Sequence, residues 1–286
     1  MTGSGDTEVP RASTGPSLVP TIRLTSVTGA DTVVEADPTE DYHEASRLYP
    51  GVTDPHVVGT ARLERSLAMR ITASRSVKRL APNGIVPLPG PALGRGTLAE
   101  AIEARRSRRE FAPNALALRD LATVLHAAYG ITGAIEGTPQ NLRTVPSGGA
   151  LYPLELYCAS HRVEGLGLAL HHYDPLRHGL EFVRPLDAPA GDDLTPYGAA
   201  LSASAAVIAM SAVFWRSRFK YGARAYRFTL IEAGHVAQNI LLAGAALGLS
   251  ALPVGGFYDR DVDAFLGVDG IYEASLYPVS LGYPAR

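Results

Sequence analysis

The side chains best suited to chemistry fall in three short stretches. Residues 105–111 read RRSRREF, a cluster of arginines around Ser107 near the end of a predicted helix. Guanidinium forks match phosphate oxygens in pairs, so this run is suited to an anion; a helix end also favours cations for its own unpaired carbonyls. Residues 146–153 read PSGGALYP. With no Cβ in the way, this glycine pair lets backbone N–H groups approach a flat ligand closely, and a tight turn between core elements would use the same residues. Residues 219–257 contain FKYGARAYRF, then IEAGHVAQNILLAGAALGL, then PVGGF. No GxxxxGK[ST] occurs, nor GxGxxG after a strand, so a phosphate-bearing cofactor would have to be held by arginines.

Three other candidates carry less. Glu232-Ala233-Gly234-His235 is half of a di-iron carboxylate motif, and no second copy exists, so no metal site is expected. His171 and His172 are neighbours in a predicted strand, point to opposite faces and cannot chelate together; a surface pair is expected. Cys158 is the sole cysteine, which excludes an intrachain disulfide and a thiolate zinc cluster. Its apolar surroundings in 154–159 predict a buried, inert thiol.

Taken in order, RRSRREF, PSGGALYPLELY, the KYG to GAALGL run and PVGGF resemble the SagB-type branch of the nitroreductase family, over about 95–282. DYHEASRLYPG at 41–51 is similar to the stretch that precedes the catalytic core in that branch. The resemblance implies an α+β nitroreductase fold, a central mainly antiparallel sheet flanked by helices, in an intertwined homodimer with FMN at the subunit interface. It implies that Arg105, Arg106, Ser107 and Arg109 hold the FMN phosphate and ribityl chain. Pro146, Ser147 and Gly149 would contact one edge of the isoalloxazine, and Gly255 and Gly256 would approach the ring from the other side. Glu232, His235 and Asn239, at i, i+3 and i+7, would form a polar seam near the flavin or the dimer interface.

Lys220-Tyr221 resembles the catalytic pair of azoline dehydrogenases. The implied reaction turns thiazoline or oxazoline rings of a ribosomal peptide into thiazole or oxazole, dioxygen reoxidises the FMN, and a cyclodehydratase is the expected partner. Such an oxidation removes a proton from one ring carbon and a hydride from its neighbour. The flavin accepts the hydride, and the protein must supply the base. An ordinary tyrosine, with a pKa of about 10, is mostly protonated at neutral pH, and a neighbouring ammonium favours the phenolate. The alternatives are an NAD(P)H-dependent nitro- or quinone reductase, a flavin oxidase desaturating another peptide-like or amino-acid-derived intermediate, and a flavin-free peptide-binding scaffold.

The elements that must position these residues follow from pattern. Thr97 with Glu100 forms a capping box ahead of a helix over 97–103. Leu118, Leu121, Val124, Leu125 and Ala128 share one face of a helix over 118–129, with Gly130 as its C-cap. Strands are expected at 154–160, 168–173, 180–183, 205–214, 252–257 and 275–282, a long helix at 227–249 and a short one near 261–266. Mixed without regular alternation, these elements point to α+β. Pro82, Pro87, Pro89 and Pro91 mark an irregular link. The expected division is a disordered 1–20, an extension over 21–92 with a strand in 21–35 and helical fragments in 38–80, and a core domain over 93–286.

Composition sets the outer bounds. A hydrophobic fraction of 46% with 19% charged residues requires a large packed core, and 26 basic against 28 acidic side chains gives no reason for nucleic-acid binding. The apolar stretches 199–215 and 240–254 are too short or too interrupted to span a bilayer. No signal segment is recognised, and a soluble cytoplasmic protein without membrane contact is expected.

Overall fold

A computed structural model of the chain describes residues 38–47, 66, 77–78, 80, 84–94, 96–138 and 140–285. The segments expected over 1–20 and 21–35, and most of 48–83, lie outside the described residues. The chain divides into two compact units, residues 1–47 and 48–286. The first contains helix α1, Pro38–Ala45, where Ser46 Oγ donates to Tyr42 O at 2.6 Å just beyond the last turn.

The second unit is built on a seven-stranded sheet. In chain order it holds β1 (Ile85–Pro87), α2 (Leu98–Ala104), α3 (Leu118–Tyr129), β2 (Ile131–Ala134), β3 (Asn141–Arg143), β4 (Leu154–Ser160), β5 (Ala169–Asp174) and β6 (Gly179–Pro185). Then follow α4 (Gly198–Ala203), β7 (Ala206–Val213), α5 (Trp215–Tyr221), α6 (Arg224–Ala246), β8 (Ser250–Pro253), α7 (Asp259–Leu266) and β9 (Glu273–Gly282). The strand order is β1-β6-β5-β4-β7-β9-β8 with every pairing antiparallel, and β2 and β3 form a separate hairpin.

The central strands read as apolar runs because both faces are covered. Side chains alternate between two cores, as the period of a strand requires. Leu156 and Cys158 of β4, with Ile208 and Met210 of β7, pack with Leu121, Val124 and Leu125 of α3 and Val236 and Ile240 of α6. Tyr157 and Ala159, with Val207 and Ala209, face the opposite way and pack with Leu252 of β8 and Val262 and Leu266 of α7.

The predicted capping box is present: Thr97 Oγ1 accepts from Glu100 N at 3.2 Å, and Glu100 Oε2 accepts from Thr97 N at 2.7 Å. The long helix runs from Arg224 to Ala246, not 227–249. Gly248, at φ 70°, sits in the left-handed region just past its end, with Gly248 N donating to Ala245 O at 3.1 Å and Leu249 N to Gly244 O at 2.8 Å. That Schellman turn sends the chain straight into the sheet, so β8 spans Ser250–Pro253 rather than 252–257. The proline-rich link contains an edge strand, β1, where the missing N–H of Pro87 is tolerated. The hairpin, α4 and α5 were not predicted. Among the described residues no helix is long and apolar enough to cross a membrane.

Candidate active site

Strand register creates the first half of the site. Leu154 at the start of β4 pairs with Ala212 near the end of β7, and Val213 N donates to Pro153 O at 2.8 Å. The turn that precedes β4 therefore meets α5, which follows β7. A Cβ built on Gly149 would stand 2.7 Å from Tyr221 Oη and 2.8 Å from Lys220 Nζ. Gly149 also has φ 66°, so both its conformation and its neighbours demand a glycine. A Cβ on Gly148 would lie 3.3 Å from Phe228 Cδ2 and 3.5 Å from Tyr221 Cε2. The Tyr221 and Phe228 rings meet edge to face at 5.1 Å, and Lys220 Nζ lies 5.2 Å from the Tyr221 ring centre. Lys220, Tyr221 and Gly149, distant in sequence, form one corner.

A buried polar chain lies under this turn. Tyr152 N donates to Ser147 Oγ at 2.9 Å, and the Ser147 hydroxyl lies beside the Glu232 carboxyl of α6, favouring its ionised form. Tyr129 Oη donates to Glu232 Oε1 at 2.6 Å and accepts from Leu154 N at 3.2 Å. Arg143 lies over Tyr129 at 4.0 Å and over Tyr152 at 4.8 Å, and its backbone N donates to Tyr152 Oη at 2.9 Å. Burial pushes the Glu232 carboxyl up to about 7, although the hydrogen bonds from Ser147 and Tyr129 and the charges of Arg143 and Arg216 oppose it.

Glu232, His235 and Asn239 do not form one seam. Glu232 points inward, His235 is exposed, and Asn239 Nδ2 donates to Ala127 O at 2.9 Å, tying α6 to α3. The three positions lie within about 60° of one another around the helix, and burial falls across that stripe from Glu232 through Asn239 to His235. Tyr129, Arg143 and Tyr152 were not anticipated. Each reads in sequence as an ordinary core or turn residue, and only the fold brings them under the turn.

The arginine cluster forms the second half. It follows α2, and Ser107 pairs in parallel with Ala251 of β8 while Arg108 N donates to Ala251 O at 3.2 Å. Arg106 Nη1 donates to the carbonyls of Glu103 and Arg105, each at 2.7 Å. Among the described residues Arg105, Arg106, Arg108 and Arg109 make no ion pair with a carboxylate. A pocket of about 150 Å³ is lined by Arg105, Arg106, Arg108, Ser250 and Ala251. A wider open cleft of about 800 Å³, between Phe111, Asn114, Glu164 and Tyr283, holds none of the other predicted site residues. Gly255 and Gly256 are exposed after β8; Thr195 Oγ1 donates to Gly256 O at 2.5 Å, and a Cβ on Gly256 would be 3.4 Å from Tyr197 Cε2.

One chain does not join the two halves. Ala251 pairs with Leu281, and Leu281 with Ala206 at the start of β7, whereas Lys220 and Tyr221 follow its end. At about 3.3 Å per residue, the length of β7 separates those two levels by roughly 23 Å.

α5 is anchored from below by a buried ionic network. Arg216 Nη2 donates to Glu155 Oε1 at 2.5 Å, and Lys78 N donates to the same oxygen at 2.8 Å. His172 bridges Glu155 Oε2 at 2.7 Å and Glu181 Oε2 at 3.1 Å. His171 and His172 are both buried, not a surface pair: His172 sits between Glu155 and Glu181, and His171 lies against Ser160 and Phe182. Burial alone would raise Glu155 and lower His172. Arg216 and His172 outweigh it and hold Glu155 at about 2, while Glu155 and Glu181 raise His172. Cys158 is fully buried, and burial pushes its thiol up to about 12, as an inert core residue requires. No group of three or more His, Cys, Asp or Glu side chains among the described residues is arranged to hold a metal.

The sequence profile of the Nitroreductase family matches residues 102–283. The chain belongs to the nitroreductase family. This nitroreductase-family chain is 36% identical over 185 residues to the nitroreductase-like protein MJ1384 of Methanocaldococcus jannaschii, covering 64% of this chain and 89% of that one. It is 32% identical over 137 residues to the microcin B17-processing protein McbC of Escherichia coli, covering 44% of this chain and 49% of McbC. The match thus spans about half the length of McbC. The crystal structure of a nitroreductase-like protein from Ralstonia eutropha superposes with a TM-score of 0.60 at 25% identity, over 71% of this chain and 90% of that one. Nitroreductases are oxidoreductases that typically bind flavin, and the expected α+β fold with its antiparallel sheet is the observed one.

Proposed function

We propose that this chain is an FMN-dependent dehydrogenase that oxidises thiazoline or oxazoline rings in a ribosomally made peptide to thiazole or oxazole. The observation that carries this reading is the meeting of Tyr221 Oη and Lys220 Nζ against Gly149, where no Cβ would fit. A ring lying beside that pair would present its C–H to an oxygen base with a cation next to it. The peptide-processing relative McbC supports a peptide substrate.

The residues present fit FMN. Among the described residues the clustered arginines have no carboxylate partner, which suits a phosphate, and Arg105, Arg106, Ser107 and Arg109 are assigned to the phosphate and ribityl chain. Pro146, Ser147 and Gly149 are assigned to one edge of the ring, and Gly255 and Gly256 to its other side. The Ser147 hydroxyl gives one lone pair to Tyr152 N and lies beside Glu232, so its remaining lone pair and the neighbouring backbone are what it can offer. When bound, FMN supplies the hydride acceptor, and dioxygen restores it. Tyr221 takes the ring proton at Oη, and the Lys220 ammonium stabilises the negative charge on that oxygen. Because one chain keeps the arginines away from the corner, a complete site takes the arginines of one copy and the corner of another in a homodimer. A cyclodehydratase that makes the azoline is the partner this chemistry calls for.

Purified protein should carry FMN, identified by its visible spectrum and by mass after acid release. Exchange of Tyr221→Phe should keep the FMN and lower ring oxidation by at least about 100-fold, the ordinary contribution of a general base. Unchanged turnover would overturn the assignment. The MJ1384 match favours a second reading, an NAD(P)H-dependent nitroreductase; reduction of a nitroaromatic by NAD(P)H with no action on azolines would select it.

A further inference from the structure

The turn from Ser147 to Tyr152 has a costly backbone. Gly149, Ala150 and Tyr152 have φ of 66°, 51° and 45°, and two of the three carry a Cβ that disfavours this region. Such a shape persists only where its surroundings impose it. Here the restraint comes from underneath. Tyr152 N is held by Ser147 Oγ and Leu154 N by Tyr129 Oη; Tyr129 Oη donates to Glu232, and the Ser147 hydroxyl lies beside the same carboxyl and favours its ionised form. One carboxyl, 2% exposed, thus gathers both ends of the turn that faces Lys220 and Tyr221, and the proposed chemistry does not use it.

We propose that Glu232 is a positioning residue which, through Ser147 and Tyr129, locks the 147–152 turn against Lys220 and Tyr221, tightly when its carboxyl is ionised and loosely when it is protonated. The inference rests on the reading of that corner as the active site but not on the ring chemistry. An ionised carboxylate accepts from both hydroxyls at once. A protonated one has a single good acceptor oxygen, and its own O–H competes for the lone pair of Ser147. The groups that face Glu232 are Tyr129 from α3, Arg143 from β3, Ser147 from the turn and Arg216 from α5. Burial places the change near pH 7 against the pull of the others. The lock therefore responds in the neutral range.

Amide hydrogen exchange on the full chain with FMN added tests this, read by NMR at Tyr152 and Leu154 and corrected for intrinsic pH dependence. Protection in the wild type should fall at least about fivefold from pH 8 to pH 6, the loss expected when a charge-assisted bond becomes a neutral one. In Glu232→Gln and in Ser147→Ala, protection at Tyr152 should be low and flat across that range, while Val124 and Leu125 in α3 stay protected as a control for folding. Wild-type protection in Glu232→Gln, or a flat wild-type profile, overturns the lock. Ring oxidation measured on the same samples answers the other question. The expected exchange with an inactive wild type sinks the azoline reading and leaves the lock standing.

Discussion

Glu232 and Cys158 are both buried, and burial drives each toward its neutral form, yet only Glu232 ends up near neutrality. Its folded pKa lies above its ordinary value, so between roughly pH 4.5 and 7 the folded chain holds a proton that the unfolded chain releases. Stability then falls as pH rises through that window. Removing the ionisable group should reverse this: at pH 8, Glu232→Gln should be more heat-stable than the wild type, by on the order of 2 kcal/mol, with the difference shrinking at pH 5. Differential scanning fluorimetry at the two pH values checks it, and a less stable Glu232→Gln at pH 8 would refute it. His172 acts in the same direction. Its raised pKa contributes stability that is fully present below its ordinary value and lost as pH rises through the folded one. Cys158 should stay unreactive toward a thiol reagent in the native protein and react on unfolding. Cys158 was legible as a buried thiol because its apolar neighbours suffice, whereas the Lys220-Tyr221 pair stood out only through the family resemblance and Gly149 only as half of a glycine pair. Tyr129, Arg143 and the partners of His172 were hidden, because their roles depend on strand register and on which way α6 faces.

At the scale of elements, legibility followed local chemistry. α2 was visible through its capping box, and α3 through one apolar face. α5 was not, since its seven residues carry no side-chain cap and are held by Arg216 on Glu155, which the chain reaches only through the sheet. β8 was displaced because the left-handed turn at Gly248 delivers the chain to the sheet earlier than the apolar run suggests. The turn before β4 was read as a glycine turn without its pairing to α5. Its requirement for glycine gives a test. Gly149→Ala would place a methyl 2.7 Å from Tyr221 Oη and force a residue with a Cβ to φ 66°. It should cost about 1–2 kcal/mol in stability and lower ring oxidation more than about tenfold by displacing the pair. FMN content should fall less than ring oxidation, since the proposed site places the phosphate on the arginines. Full activity in this variant would mean that the Lys220-Tyr221 pair does not need its seat against Gly149.

Across the whole molecule, the decisive feature is the separation of two half-sites along β7. The arginines lie level with its first residue and the Lys220-Tyr221 corner beyond its last. If each working site takes arginines from one copy and the corner from another, two dead variants can rescue each other. Arg105→Ala with Arg106→Ala removes the first half of the site, and Tyr221→Phe removes the second. Both changes leave the buried core untouched, since among the described residues the arginines carry no ion pair and the tyrosine loses one hydroxyl. In a mixed dimer purified through two different tags, one site inherits both defects and the other neither. Such a dimer should regain about half of the wild-type ring oxidation, while each parent dimer stays inactive. A site built within one chain gives a different result, because each copy in the mixed dimer then carries one defect and no activity returns. Sedimentation of the mixed sample confirms that two copies are present. Activity without rescue by mixing would move the arginines out of the site and require another anchor for the phosphate.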